Sequence, residues 1–445
     1  MTLSGTTGRP LVDTLLVRSL AAIVLLLRGG MFAVLGRRYA SMCDLCRVVR
    51  IAHKGVLQNF AYRAVMQAVN KIRLTGNNFL VDAYLAEPAS KKCADLYSIS
   101  GTGPHEIFRD LIVLKSPTSG EKGVILLKYG RTFEAMFAIF DVGALMERYQ
   151  FVLEPCWAGY CDPAILMYFA PGHPVFIQVF TDEDYQFIKE IGPPFVPVRL
   201  GPADWVDTVL FAPKEATTKH YDLVMVANWA RHKRHALLFQ ALRKIKDREI
   251  QVLLVGFPWG GRTAEDIRRE AHRGKPANIH IKIVERVPQN VLARYLQESR
   301  IFVFLSRKEG DNKALVEAMF ADLPAIVFDK TIGGARSRIN THTGLLSSED
   351  DLPNKIVYML DHYQQFSARE WAVRNTGSEM ATKKLSDVIK ITVTEAGGKY
   401  SHAIAEKVNA PNLAYKNQEE RTVFEADYQL ILANRRGKVQ SNSLI

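Results

Sequence analysis

The chain has only five cysteines in 445 residues, an odd number and widely scattered. This argues against a disulfide framework and for a reducing compartment. Cys43 and Cys46 form the one pair at metal or redox spacing. With no second pair near them, no zinc site is expected, and Cys156 and Cys161 fit no ligand pattern. Long apolar runs are also missing. The longest, Ser19 to Leu27, is far below the roughly 20 residues of a membrane span, and Arg28 would fall near the middle of any longer one. No internal repeat or low-complexity tract appears. Aromatics are sparse where the charge is basic, with only Phe32 and Tyr39 before Cys43. Nucleic-acid binding, which interleaves the two, is therefore not expected.

What is present is a globular composition, 48% hydrophobic, enough for two or three domains with real cores. The formal charge is +12, and residues 1–60 hold eight Lys/Arg against Asp13 and Asp44. Half of the excess charge therefore sits in a basic, amphipathic leader. Three readings of it stay open: a buried helix with solvated arginines, a helix lying on an anionic membrane surface, or a targeting leader. The expected location is cytoplasmic, with peripheral membrane contact through residues 1–60.

An α/β texture begins near residue 110. Short apolar strands (DLIVLK, VILLK) lead to Gly130-Arg131 and an apolar helical stretch, and VFIQVF and FVPVRL complete a first sheet over residues 61–211. The polar segment 212–220 reads as a linker. From residue 221 to 395 five strands alternate with helices, which predicts a doubly wound parallel sheet with ligands at the carboxyl ends of its strands. Residues 396–445 read as a closing helix and a polar tail.

The most informative stretch is Phe302 to Pro324. A buried strand breaks at Gly310 into a polar loop and restarts as an apolar helix, an arrangement that faces anions. Asn312 is the expected N-cap, which puts Glu317 more than one turn inside that helix. A lone carboxylate there needs hydrogen-bond donors or a pair with Lys313 one turn earlier. Glu309-Gly-Asp-Asn-Lys-Ala-Leu-Val-Glu317, followed by Leu323-Pro324, resembles the Glu-x7-Glu signature of retaining glycosyltransferases of family 4. Val226 to Lys233 resembles that family's strand-loop-Lys segment, and Thr343 to Leu346 its following turn. The likeness covers roughly residues 221–390.

The resemblance implies a GT-B fold, two Rossmann-like doubly wound domains facing a central cleft. It also implies a hexosyltransferase-type enzyme that uses a nucleotide-sugar donor, with no cofactor and no required metal, and a glycan or lipid-linked acceptor. Glu309 then lies beside the transferred sugar, Glu317 accepts from the ribose, and Lys233 neutralises the diphosphate. Gly310, Asp311, Asn312 and Lys313 line the donor at the helix start. Asn228 stands where the family usually has Arg, so Arg231 or Arg234 is the expected replacement, and Asp322 stands where Gly is common. Gly130 is the candidate acceptor-side glycine. Two alternatives are a metal-dependent glycosyltransferase using Asp182 and Asp184, and a non-catalytic sugar-nucleotide or membrane-binding module.

Overall fold

The computed structural model describes residues 15–52, 54–99, 103–214, 217–274, 276–410 and 412–436. The start of the leader and most of the polar tail lie outside them. Five helices come first: α1 (Leu15–Val34), α2 (Arg38–Ile51), α3 (Val56–Thr75), α4 (Phe79–Ala86) and α5 (Pro88–Ile99). Residue 60, the expected edge of the leader, falls inside α3. Tyr39, Met42 and Cys46 of α2 and Val65, Val69 and Ile72 of α3 are buried in the same core as the first sheet. The strand-helix alternation begins only with the first strand at Leu111, so these helices had no strand beside them in the sequence to mark which core they complete.

The first sheet runs in the order β1 (Leu111–Lys115), β2 (Gly123–Lys128), β3 (Tyr149–Glu154), β4 (Val175–Gln178), β5 (Phe195–Val198), parallel except for β1. Every residue of β2 and β3 is buried, the polar Lys128, Gln150 and Glu154 included, as expected of strands covered on both faces. Its strands follow in chain order, so this sheet winds in one direction. The open edge at β1 is sealed by the C-terminal segment. Tyr415 Oη donates to the Val113 carbonyl at 2.6 Å, Val113 N–H donates to Tyr428 Oη at 3.3 Å, and Ala405 N–H donates to the Leu114 carbonyl at 2.7 Å. Pairing those groups removes the hazard of an exposed strand edge.

The second sheet contains β6 (Tyr221–Val226), β7 (Ile250–Gly256), β8 (Ile279–Glu285), β9 (Ser299–Phe304), β10 (Ala325–Phe328) and β11 (Gly344–Ser347), in the order β11-β10-β9-β6-β7-β8. All its pairings are parallel. The chain winds outward from β6 to β8, then returns beside β6 as β9 and winds the other way. The direction reverses between β6 and β9, where a doubly wound sheet opens its crevice. Two Rossmann-like α/β domains therefore make up the molecule, the GT-B arrangement. A hairpin of β12 (Lys407–Ala410) and β13 (Asn412–Tyr415), which gave no signal in the sequence, lies between them.

Candidate active site

The loops leaving β6 and β9 at the switch point bring Lys233 and Glu309 together. They form an ion pair with Lys233 almost wholly buried and Glu309 slightly more open. Lys233 lies in the turn Arg231–Lys233, and Arg307 N–H of the second loop reaches the His232 carbonyl of the first at 3.4 Å. The Glu309 backbone is held by Ile332, whose carbonyl accepts from Glu309 N–H at 3.0 Å. Gly333, at φ +126, closes this contact, since a Cβ there would stand 2.1 Å from the Glu309 carbonyl. Further cations surround the pair. Arg234 bonds Glu349 at 2.5 Å, and Arg307 lies 3.7 Å from the same carboxylate.

His235 starts the helix that follows, wholly buried against Trp229 with ring centroids 5.2 Å apart. Neither ring nitrogen has a partner among the described residues. Burial, with Arg262 and Lys233 adding to it, pushes the imidazole down to about 3. The folded chain therefore keeps His235 neutral, while the unfolded chain protonates it as pH falls through its ordinary value of 6.5. The stability contributed is whole above that pH and is lost as pH falls toward 3, on the order of several kcal/mol. His235→Leu should move the acid-unfolding midpoint to lower pH, followed by circular dichroism during acid titration. An unchanged midpoint would mean that the ring finds a partner in solution.

The other candidates divide into two groups. Gly310, Asp311, Asn312, Lys313 and Glu317 build the joint between the domains. A Cβ on Gly310 would stand 1.7 Å from the Cys156 carbonyl, so the Glu309 loop lies directly on the loop after β3. Gly310→Ala must part these backbones. We expect a loss of about 1–3 kcal/mol in chemical denaturation, together with lowered activity. Asp311 differs from its expected place at the donor, because its side chain is fully enclosed. Arg338 donates to it at 2.7 and 3.1 Å, and Ala203 N–H donates at 3.0 Å. Asn312 caps the helix Lys313–Phe320 by accepting from Leu315 N–H at 2.8 Å. Glu317 is buried with Lys313 Nζ 3.8 Å away, and Lys313 also donates to the Asn409 carbonyl at 2.8 Å. Burial pushes the Glu317 carboxyl up against the opposing Lys313 charge. Asn228 is turned inward on its own loop, accepting from Ala230 N–H at 3.2 Å, and Arg231 is exposed.

Two charged clusters complete the joint, and neither was legible from the sequence. Arg338 bridges Asp311 and Asp204, the latter at 2.9 Å, and Asp204 also accepts from Thr376 Oγ1 at 2.6 Å. Burial opposes ionisation of Asp204, but the guanidinium's charge and hydrogen bond outweigh it and hold the carboxyl below its ordinary range. For Asp311 burial wins, and the carboxyl lies above that range despite Arg338. In the second cluster Lys407 of β12 bonds Glu154 at the end of β3 at 2.7 Å and lies 4.0 Å over the Trp205 ring. Asn409 donates to Glu154 at 3.0 Å and to the Pro202 carbonyl at 2.8 Å.

A cavity of about 920 Å³ opens at the carboxyl ends of β2 and β3. That is within the usual range for small-molecule sites. Gly130 lines it, beside Tyr129, which holds the sparsely populated φ of +70°. Trp157, half exposed, and Tyr160 give aromatic surface. The polar wall comes from Arg50, which pairs with Asp162 at 2.8 Å, and Arg131, 3.2 Å from Asp110. The loop Pro155–Trp157 separates the cavity from Gly310 and so from Glu309. Trp157 and Tyr160 stand in one short stretch after β3, so this part of the wall is local in the sequence. The part played by Arg50, from a helix over a hundred residues upstream, is not.

Asp182 and Asp184 do not converge. Thr181 caps the helix Asp182–Ile191, and Asp184 accepts from Gly159 N–H at 2.9 Å and Tyr160 N–H at 2.7 Å. Asp182 instead pairs with Arg199 at 2.6 Å. Among the described residues no group of three His, Cys, Asp or Glu side chains is placed to hold a metal ion.

Residues 220–362 match the family model for glycosyl transferases group 1. The chain thus carries a glycosyltransferase domain built on the second sheet, with both Lys233 and Glu309 inside it. Solved structures with a similar fold include sucrose-phosphate synthase from Thermosynechococcus elongatus, 16% identical over 61% of this chain and 74% of that one, with a TM-score of 0.48. HepE from Anabaena in complex with UDP-glucose is 14% identical over 61% and 78%, with a TM-score of 0.46. S. aureus TarM in complex with UDP is 14% identical over 59% of this chain and 55% of that one, so only about half of TarM is spanned, with a TM-score of 0.45. No curated protein matches the chain.

Proposed function

We propose that this chain is a retaining glycosyltransferase of the family 4 type, taking a hexose from a nucleotide-sugar donor and passing it to a glycan or lipid-linked acceptor. The observation that carries this reading is the Lys233–Glu309 pair at the switch point of the second sheet. When the donor binds, Lys233 exchanges Glu309 for the diphosphate, and Glu309 turns to the sugar hydroxyls. In the reaction the bond from the anomeric carbon to the phosphate oxygen breaks and a bond to the acceptor hydroxyl forms. The acceptor proton leaves with the diphosphate on the same face. Negative charge grows on the leaving group, and a fixed ammonium stabilises it without reorganising.

The acceptor is assigned to the 920 Å³ cavity, whose loop rests on Gly310. Its aromatic wall suits the apolar face of a sugar ring, and its arginines suit polar or charged substituents. No step in this reading draws on a metal ion. The test is nucleoside-diphosphate release from UDP-, GDP- and ADP-sugars without divalent metal. Release from one donor class is expected. No release from any donor, with Mn²⁺ and a crude acceptor extract added, would favour the non-catalytic binding module.

A further inference from the structure

Helix α1 is built inside out for a helix in water. It touches α2 through small residues, Ala22 and Gly29, both buried. A Cβ on Gly29 would come within 3.3 Å of Asp44 Cβ, so the helices approach closely there. Leu16, Leu20, Val24, Leu27, Met31 and Val34 are each more than half exposed. Their spacing of three and four residues places them along one side of the helix. A globular chain normally turns that stripe inward and its charges outward. A contiguous apolar face of this length needs a partner.

Among the described helices α1 is the one long and apolar enough to cross a bilayer. Its attachments oppose that orientation. Arg28, in its second half, donates to both carboxylate oxygens of Asp44 on α2, at 2.7 and 2.6 Å. Helix α2 also carries Arg38, Arg47 and Arg50. A spanning α1 would pull these charges into hydrocarbon or break the Asp44 pair, and either is costly. Lying flat satisfies both constraints. The apolar stripe enters the acyl boundary, while Arg37, Arg38 and Lys54, all exposed, remain at headgroup level. Residues 1–60 carry eight Lys/Arg against two acidic residues, so anionic headgroups complement this end of the molecule.

We infer that the outer face of α1 docks in the plane of an anionic lipid surface and holds the molecule there as a peripheral protein. This does not depend on the glycosyltransferase reading, and its test requires no turnover. The full chain is floated with phosphatidylcholine vesicles and with vesicles that also contain phosphatidylserine. Leu20→Glu combined with Leu27→Glu changes only exposed positions, and Val209→Glu, exposed and far from α1 in the chain, serves as control. The expected result is flotation favoured by phosphatidylserine, weakened by salt, reversed by alkaline carbonate, and reduced about ten-fold or more in the double variant. The control should float as wild type does, and the variant's circular dichroism should be unchanged. Absence of flotation, or equal flotation of the double variant, would overturn the inference. Retention in carbonate would show that α1 spans instead. A dimer that the double variant converts to monomer, without lipid binding, would show that a second copy covers the face.

Discussion

Glu309→Gln is expected to lower nucleoside-diphosphate release by about 100-fold or more, with little change in thermal stability. The amide keeps the size of the side chain and can still accept from Lys233, so the nearly buried ammonium is not abandoned. It cannot supply the negative charge that faces the sugar as positive charge develops at the anomeric carbon. The loss should therefore fall on kcat more than on KM. Steady-state release assays on the preferred donor, with melting temperatures measured in parallel, separate the two effects. If activity is retained, the Lys233–Glu309 pair is an architectural contact and the chemistry lies elsewhere in the cleft.

Arg338→Met is expected to have the largest effect on stability. The guanidinium is the shared partner of Asp204 and Asp311, and all three are buried. Its removal leaves two carboxylates facing each other without a counter-charge, a situation that costs about 3–5 kcal/mol. Chemical denaturation should show that loss, and Arg338→Lys should recover little of it, because one ammonium cannot reproduce the forked contact with both carboxylates. Asp311→Asn in the Arg338→Met background should return part of the stability by removing one orphaned charge. If Arg338→Met unfolds at the wild-type midpoint, water or a rearranged side chain serves the carboxylates in solution.

The contrast between these two sites shows which features were legible in the sequence. The alternation of strands and helices after residue 221 announced the second sheet, because parallel strands covered on both faces must be continuously apolar. Lys233 and Glu309 were singled out through the resemblance, and each lies in the loop that follows a central strand of the second sheet, β6 and β9, which is where the structure brings them together. The residues around them were harder to place. Asp311 and Glu317 follow Glu309 closely, and the resemblance implied that all of them face the donor. The structure turns Asp311 onto Arg338 and the Ala203 N–H of the other domain, and sets Glu317 beside Lys313, the pairing that their spacing on one helix also allowed. Asp204 and Arg338 are 134 residues apart, and Glu154 and Lys407 are 253 apart. No local pattern can announce such pairs. Likewise, the buried residues of α3, Ala61, Val65, Val69 and Ile72, stand at helical spacing, but that spacing does not say which sheet the face covers.

Helix α2 connects α1 to the cavity. Asp44 on it receives Arg28 of α1, the helix proposed to dock on lipid, and Arg50, about 9 Å further along its axis, forms part of the cavity wall. An acceptor with a lipid tail would therefore reach that cavity by lateral diffusion within the leaflet instead of by collision from bulk solution. Its effective supply would be set by its mole fraction in the membrane, and diluting it with inert lipid at constant bulk concentration would slow the reaction. A water-soluble acceptor would show no such surface dilution, so the rate law itself would report which kind of acceptor the proposed site takes.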